Sequence, residues 1–171
     1  MADDTTGAEN GATPAAENGA QAGPQVGILA QYVKDLSFEN PRAPQSLQVQ
    51  SGAERQAPNI NVDVNINVKK MNEDMYEIEL RIEAGAKQGD DIQFAIDLLY
   101  GGVFGLKNVP EEMLEPFLLI EAPRLLFPFA RRIISDCTRD GGFPPLQLDP
   151  IDFAALYIQQ KGAIPGMEMD A

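Results

Sequence analysis

Histidine and tryptophan are both missing from these 171 residues, and cysteine occurs once, at Cys137. Without histidine the chain lacks the commonest general base near neutral pH, and with it Ser-His and Cys-His nucleophile pairs and most zinc sites. A lone cysteine forms no internal disulfide, as a reducing cytosol or simple indifference to redox would give. Bases are scarce too. Lys and Arg number 13 against 26 Asp and Glu, a formal net charge of -13, so nucleic-acid phosphates and anionic membranes are poor partners and a basic protein is a better one. Residues 1 to 27 hold Asp3, Asp4, Glu9 and Glu17 but no base and no apolar run, unlike a secretory leader, and no stretch suits a membrane span. The expectation is a cytoplasmic protein with no cofactor and no catalytic group.

What is present falls into three parts. Residues 1–26, built from Ala, Gly, Asn, Thr, Pro and acids, cannot bury enough apolar surface to offset their ordering entropy and are expected to form a disordered acidic tail. Residues 27–161 are expected to form one domain, and residues 162–171 a flexible tail that keeps Met167 and Met169.

The first half of the domain alternates. From Ile60 to Val68 every even position is Ile or Val and every odd one Asn or Asp, which places an apolar and a polar face on one strand. Tyr76 to Glu83 repeats the pattern, and the turn-like Met71-Asn72-Glu73-Asp74 between them predicts an antiparallel hairpin. Another strand is expected over 91–100, with Gly101-Gly102 bending or bulging the chain before 103–106. An earlier strand over 29–38 precedes the Pro-rich segment 40–44. The period then changes. Pro110-Glu111-Glu112 sets residues favoured at a helix start, with Pro123 expected to end that helix. A second helix is expected from about Arg124 to Gly141-Gly142, and a third after Asp149-Pro150, capped by Asp149, running to Lys161. Strands followed by helices predict an α+β fold, a four-stranded antiparallel sheet with helices packed on one face.

Several candidate sites have ordinary structural explanations. Asp63, Asn65 and Asn67 have the spacing of a calcium loop, but Val68 stands where its glycine belongs and Asp74 where its closing glutamate belongs. Asp90-Asp91 and Glu111-Glu112 sit at a turn and a helix start, and Cys137 has no histidine to activate it. More informative is the run from Met113 to Ile134, apolar on most faces, for which another subunit is the expected cover. Asp35, Glu39 and Asp97 add an acidic patch suited to a basic partner.

Read together, several segments resemble the SecB protein-export chaperone family. They are Tyr32-Val33-Lys34-Asp35-Leu36-Ser37-Phe38-Glu39-Asn40-Pro41, the Tyr76 to Arg81 strand, Gly101-Gly102-Val103-Phe104, Leu126-Phe127-Pro128-Phe129-Ala130-Arg131, Gly142-Phe143-Pro144-Pro145-Leu146, and Pro150 to Tyr157. The resemblance implies a homotetramer, a dimer of dimers, that keeps unfolded secretory precursor proteins soluble and hands them to the SecA motor without hydrolysing nucleotide. It implies docking of SecA's basic, zinc-carrying tail at Asp35, Glu39 and Asp97, the last standing where a longer Glu is more familiar. It also implies a substrate groove at Ile60, Val62 and Val64, to which Leu156 and Tyr157 of the last helix are added. A Trp familiar in the family after the Pro-rich segment has no counterpart here. The alternatives are a small-ligand-binding α+β domain with a pocket between the bent sheet and Phe143, Phe153 and Tyr157, and a purely structural oligomer.

Overall fold

The computed structural model describes residues 22–48 and 57–162. Most of the expected amino-terminal tail and residues 163–171 of the expected carboxy-terminal tail lie outside the described residues. Four strands come first: β1 (Gln25–Glu39), β2 (Asn59–Lys70), β3 (Met75–Gln88) and β4 (Asp91–Lys107). They form one antiparallel sheet in the order β1-β4-β3-β2, so β1 and β2 are its two edges. β1 starts at Gln25, which takes Gln25 and Val26 out of the expected tail.

The β2–β3 hairpin follows from its sequence. Asn72 caps the turn, its side-chain oxygen accepting from the Asp74 amide at 3.0 Å, and the alternating residues of both strands fall into register from Lys70 opposite Tyr76 to Asn59 opposite Lys87. Even-numbered residues of β3 and β4 point to the inner face. Ile78, Leu80, Ile82 and Leu98 are fully buried there, each contributing about 1.5–3 kcal/mol relative to exposure.

Gly101-Gly102 carries no bulge of its own. β4 continues unbroken through it, and the extra residues of the β1–β4 pairing sit on β1, at Leu29 and Lys34. The glycines are instead required by close approach on both faces of the sheet. A Cβ on Gly101 would lie 2.5 Å from the Tyr32 ring on the outer face, and one on Gly102 would lie 2.7 Å from Leu126 on the inner face.

The inner face is covered by one long helical segment: α1 (Glu111–Pro116), a π-helical turn (Phe117–Glu121) and α2 (Ala122–Asp140). Pro123 was expected to end a helix here, and does not. The wider turn just before it gives its ring room that a regular helix would deny, since the ring would strike the carbonyl four residues back. Leu126, Ala130 and Ile134 of α2 pack onto β3 and β4 and Leu118 of the π turn lies beside β2, while Met113, Leu125 and Phe129 stay exposed. The last helix, α3 (Phe153–Gly162), begins later than expected. Asp152, not Asp149, caps it, accepting from the Ala155 amide at 3.0 Å.

Candidate functional site: two faces of one sheet

On its inner face β2 carries Ile60, Val62, Val64, Ile66 and Val68, spanning roughly 26 Å at about 3.3 Å per residue. Ile60 is 40% and Val62 41% exposed, whereas Val64, Ile66 and Val68 pack against the core. Each end of this stripe opens into a largely apolar cleft. The Ile60 end meets one of about 340 Å³, walled by Pro58, Ala86, Phe94 and the segment Phe143-Pro144-Pro145-Leu146. That wall is pinned to the end of α2. The Leu146 amide donates to Thr138 Oγ1 at 2.9 Å, Thr138 itself being fully buried, and the Phe143 and Phe94 rings meet at 5.0 Å. The Val68 end meets a second cleft of about 380 Å³, between Leu114, Leu118 and Leu119, with Glu111 and Glu115 at its edge as the polar part of the lining.

Ile60 thus lines a cleft, and Val62 and Val64 continue its stripe. Leu156 and Tyr157 stand on α3, which packs against the π turn whose Leu118 and Leu119 line the second cleft, and the Lys161 ammonium sits 4.8 Å over the Tyr157 ring. Phe153 is almost fully buried, edge-on to Phe127, whereas Phe143 lines the cleft at Ile60. That Phe143-Pro144-Pro145-Leu146 shares a cleft with Ile60 is set by the fold and by no local spacing in the sequence.

The outer face is polar and divides into two regions. In the first, Tyr32 donates to Glu77 at 2.5 Å, and Lys34 donates to Glu77 at 2.8 Å and also to Glu79. Lys69 and Asn67 reach Glu79 from the other side, each at 2.8 Å. Gly101 leaves the space that lets the Tyr32 ring cross β4 toward β3. Hydrogen bonds from Lys34, then Lys69 and Asn67, hold the nearly buried Glu79 carboxyl down at about 2, from an ordinary 4.5. Burial, followed by the bond to Glu77, pushes the Tyr32 hydroxyl up to about 12.

Because the folded value of Glu79 lies below the unfolded one, its contribution to stability is complete above about 4.5 and is lost as pH falls toward about 2. Glu79→Gln should therefore flatten the fall of the urea midpoint between pH 4.5 and 2 relative to wild type. An unchanged slope would remove Glu79 from the acid response.

The second region is acidic. Asp35, Ser37 and Glu39 of β1 share the outer face with Asp97, which pairs across to Ser37 and Glu83, and Glu83 in turn faces Asp63. Glu39, Asp63, Glu83 and Asp97 rim a shallow depression of about 300 Å³ whose lining includes Gly85 and Ala95. The structure thus brings the three expected acids together and adds Asp63 and Glu83. Both could have been found by counting outward from the 71–74 turn, which sets Asp63 opposite Glu83. Asp97 is not free: Arg81 holds it by two bonds, Nε to Oδ1 at 3.0 Å and Nη2 to Oδ2 at 2.5 Å, and the same Nη2 lies 3.1 Å from Glu83. Among the described residues no group of carboxylates is arranged to hold a metal ion, and no helix is long and apolar enough to cross a membrane.

Comparison with known proteins agrees with this geometry. Residues 19–163 match the family model described as preprotein translocase subunit SecB. The chain is 55% identical over 152 residues to the protein-export protein SecB of Rhizorhabdus wittichii, covering 89% of each chain. It is 46% identical over 170 residues to that of Sphingopyxis alaskensis, covering 99% of this chain and 95% of the relative. In fold it is similar to the SecB-like chaperone Rv1957 of Mycobacterium tuberculosis, solved with a ChAD peptide from the HigA1 antitoxin. That likeness has a TM-score of 0.59 at 15% identity, over 74% of this chain and 90% of the other. With an α+β sheet carrying an open apolar stripe on one face and acids on the other, and with relatives this similar over most of its length, the chain belongs to the SecB family of protein-export chaperones.

Proposed function

We propose that this protein is a cytoplasmic, ATP-independent holding chaperone, assembled as a dimer of dimers, that binds unfolded secretory precursors and delivers them to SecA without a catalytic step of its own. The observation that carries the reading is the apolar stripe of β2, open at Ile60 and Val62 and joined at each end to a largely apolar cleft. Such a surface binds by burying apolar side chains, at about 25 cal/mol per Å² spread over many weak contacts. Because β2 is an edge strand, its free backbone groups can also pair with an extended chain whatever its sequence. A folded protein offers neither its apolar side chains nor a free backbone, so selection is for the unfolded state. SecA, bound at Asp35, Glu39 and Asp97 on the opposite face, then takes over the precursor by mass action.

Assembly is supported by apolar surface without internal cover. Val26, Ile28, Leu29, Val33 and Leu36 are exposed along the free edge strand β1, as are Met113, Leu125 and Phe129 on the helical layer. Light scattering after size-exclusion chromatography tests the whole reading. A species of four times 18.6 kDa that takes up a chemically unfolded precursor, but not its folded form, is the expected result. A monomer indifferent to unfolded protein would overturn it.

A further inference from the structure

Resting on the proposed docking of a basic partner at Asp97, we infer that Arg81 is an internal competitor of that partner, holding Asp97 in the free chaperone and withdrawing onto Glu83 when the partner's cation arrives. Three observations carry this. Both oxygens of Asp97 are engaged by the planar fork of Arg81, so one of the acids that rim the depression is already satisfied. The second resting place is already in reach, since Nη2 stands 3.1 Å from Glu83 and 2.5 Å from Asp97. The guanidinium is about half exposed, so it can turn between the two acids without disturbing the core. Lys34 and Lys69 are differently placed, both committed to Glu77 and Glu79 in the other region of the same face. The effect is to make docking an exchange of one cation for another at a pre-shaped carboxylate. A partner with a single stray lysine gains little, because it must replace a two-pronged contact with a one-pronged one.

The test is calorimetric binding of the zinc-loaded carboxy-terminal tail peptide of SecA to the full-length protein at low salt. Wild type should bind, and Asp35→Lys with Asp97→Lys should not; failure of either result overturns the docking reading and this inference with it. Given both, Arg81→Gln should tighten binding roughly two- to five-fold, the range for releasing an exposed ion pair. Glu83→Gln alone should weaken binding, but have no further effect once Arg81 is Gln, because its role is to receive Arg81. If Glu83→Gln weakens binding equally in both backgrounds, Glu83 attracts the partner directly and the exchange is refuted. Arg139→Gln, at the far end of α2, changes net charge by the same amount; equal tightening there would reduce the Arg81 effect to net charge alone and likewise refute it.

Discussion

Replacing Ile60 and Val62 together by Asp should reduce the holding of an unfolded precursor at least tenfold while leaving the oligomer assembled. Both side chains are roughly two-fifths exposed on an edge strand, so neither charge would be forced into the interior of the subunit. Against a client the balance differs. Each apolar side chain fully covered is worth about 1.5–3 kcal/mol, so losing half of that at two positions already exceeds the 1.4 kcal/mol that corresponds to a factor of ten. The carboxylates add a desolvation cost for any apolar chain laid over them. Val64 is a poorer choice, since it packs against the core and its loss would mix folding with binding. The measurement is protection of a diluted, denatured precursor from aggregation, read by light scattering at fixed chaperone concentration. Protection equal to wild type would remove the β2 stripe from the client path.

Gly102→Val is expected to be the most damaging single substitution for stability. Its Cβ would stand 2.7 Å from Leu126 Cδ2 and 3.1 Å from the Phe104 ring, and both of those side chains are fully buried. Leu126 cannot turn aside without displacing the helix from the sheet. Overpacking of this kind costs about 1–3 kcal/mol or more, and the two further methyl groups of valine push it to the upper end. At constant protein concentration the melting temperature should fall by roughly 5–12 °C. Gly105→Ala is the control, since its nearest contact, Leu29, would be an ordinary 3.5 Å away. A Gly102→Val protein that melts within a degree of wild type would mean the helix and sheet are less tightly apposed than described.

Where pattern and neighbourhood coincide, the sequence could be read directly. The alternation from Ile60 to Val68 marked a half-wet strand because β2 is an edge with one face toward the helices, and the 71–74 turn then fixed its pairing with β3. The acids Asp35, Glu39 and Asp97 could be grouped on one face by parity, although the extra residue at Lys34 shifts the register between Asp35 and the start of β1. Legibility ended where a residue's role depends on a distant segment. Gly101-Gly102 reads as a bend because glycine usually marks one; its actual purpose, room for Tyr32 and Leu126, comes from residues 69 and 24 positions away. Pro123 reads as a helix stop because the π turn that accommodates it leaves no mark in the hydrophobic spacing. Arg81 reads as one more charge on a wet face, and its grip on Asp97 is visible only once β3 and β4 are in register.

The two sides of β2, polar outward and aliphatic inward, set dissolved ions against themselves. Chloride or sulfate added to the medium shields charges on the outer side, weakening any attachment made through carboxylates there. Sulfate, being excluded from apolar surface, strengthens burial on the inner side. On the proposed reading, the two faces of one sheet therefore respond oppositely to added ions, and a change of medium alone should part a partner docked through the carboxylates while an apolar client stays bound.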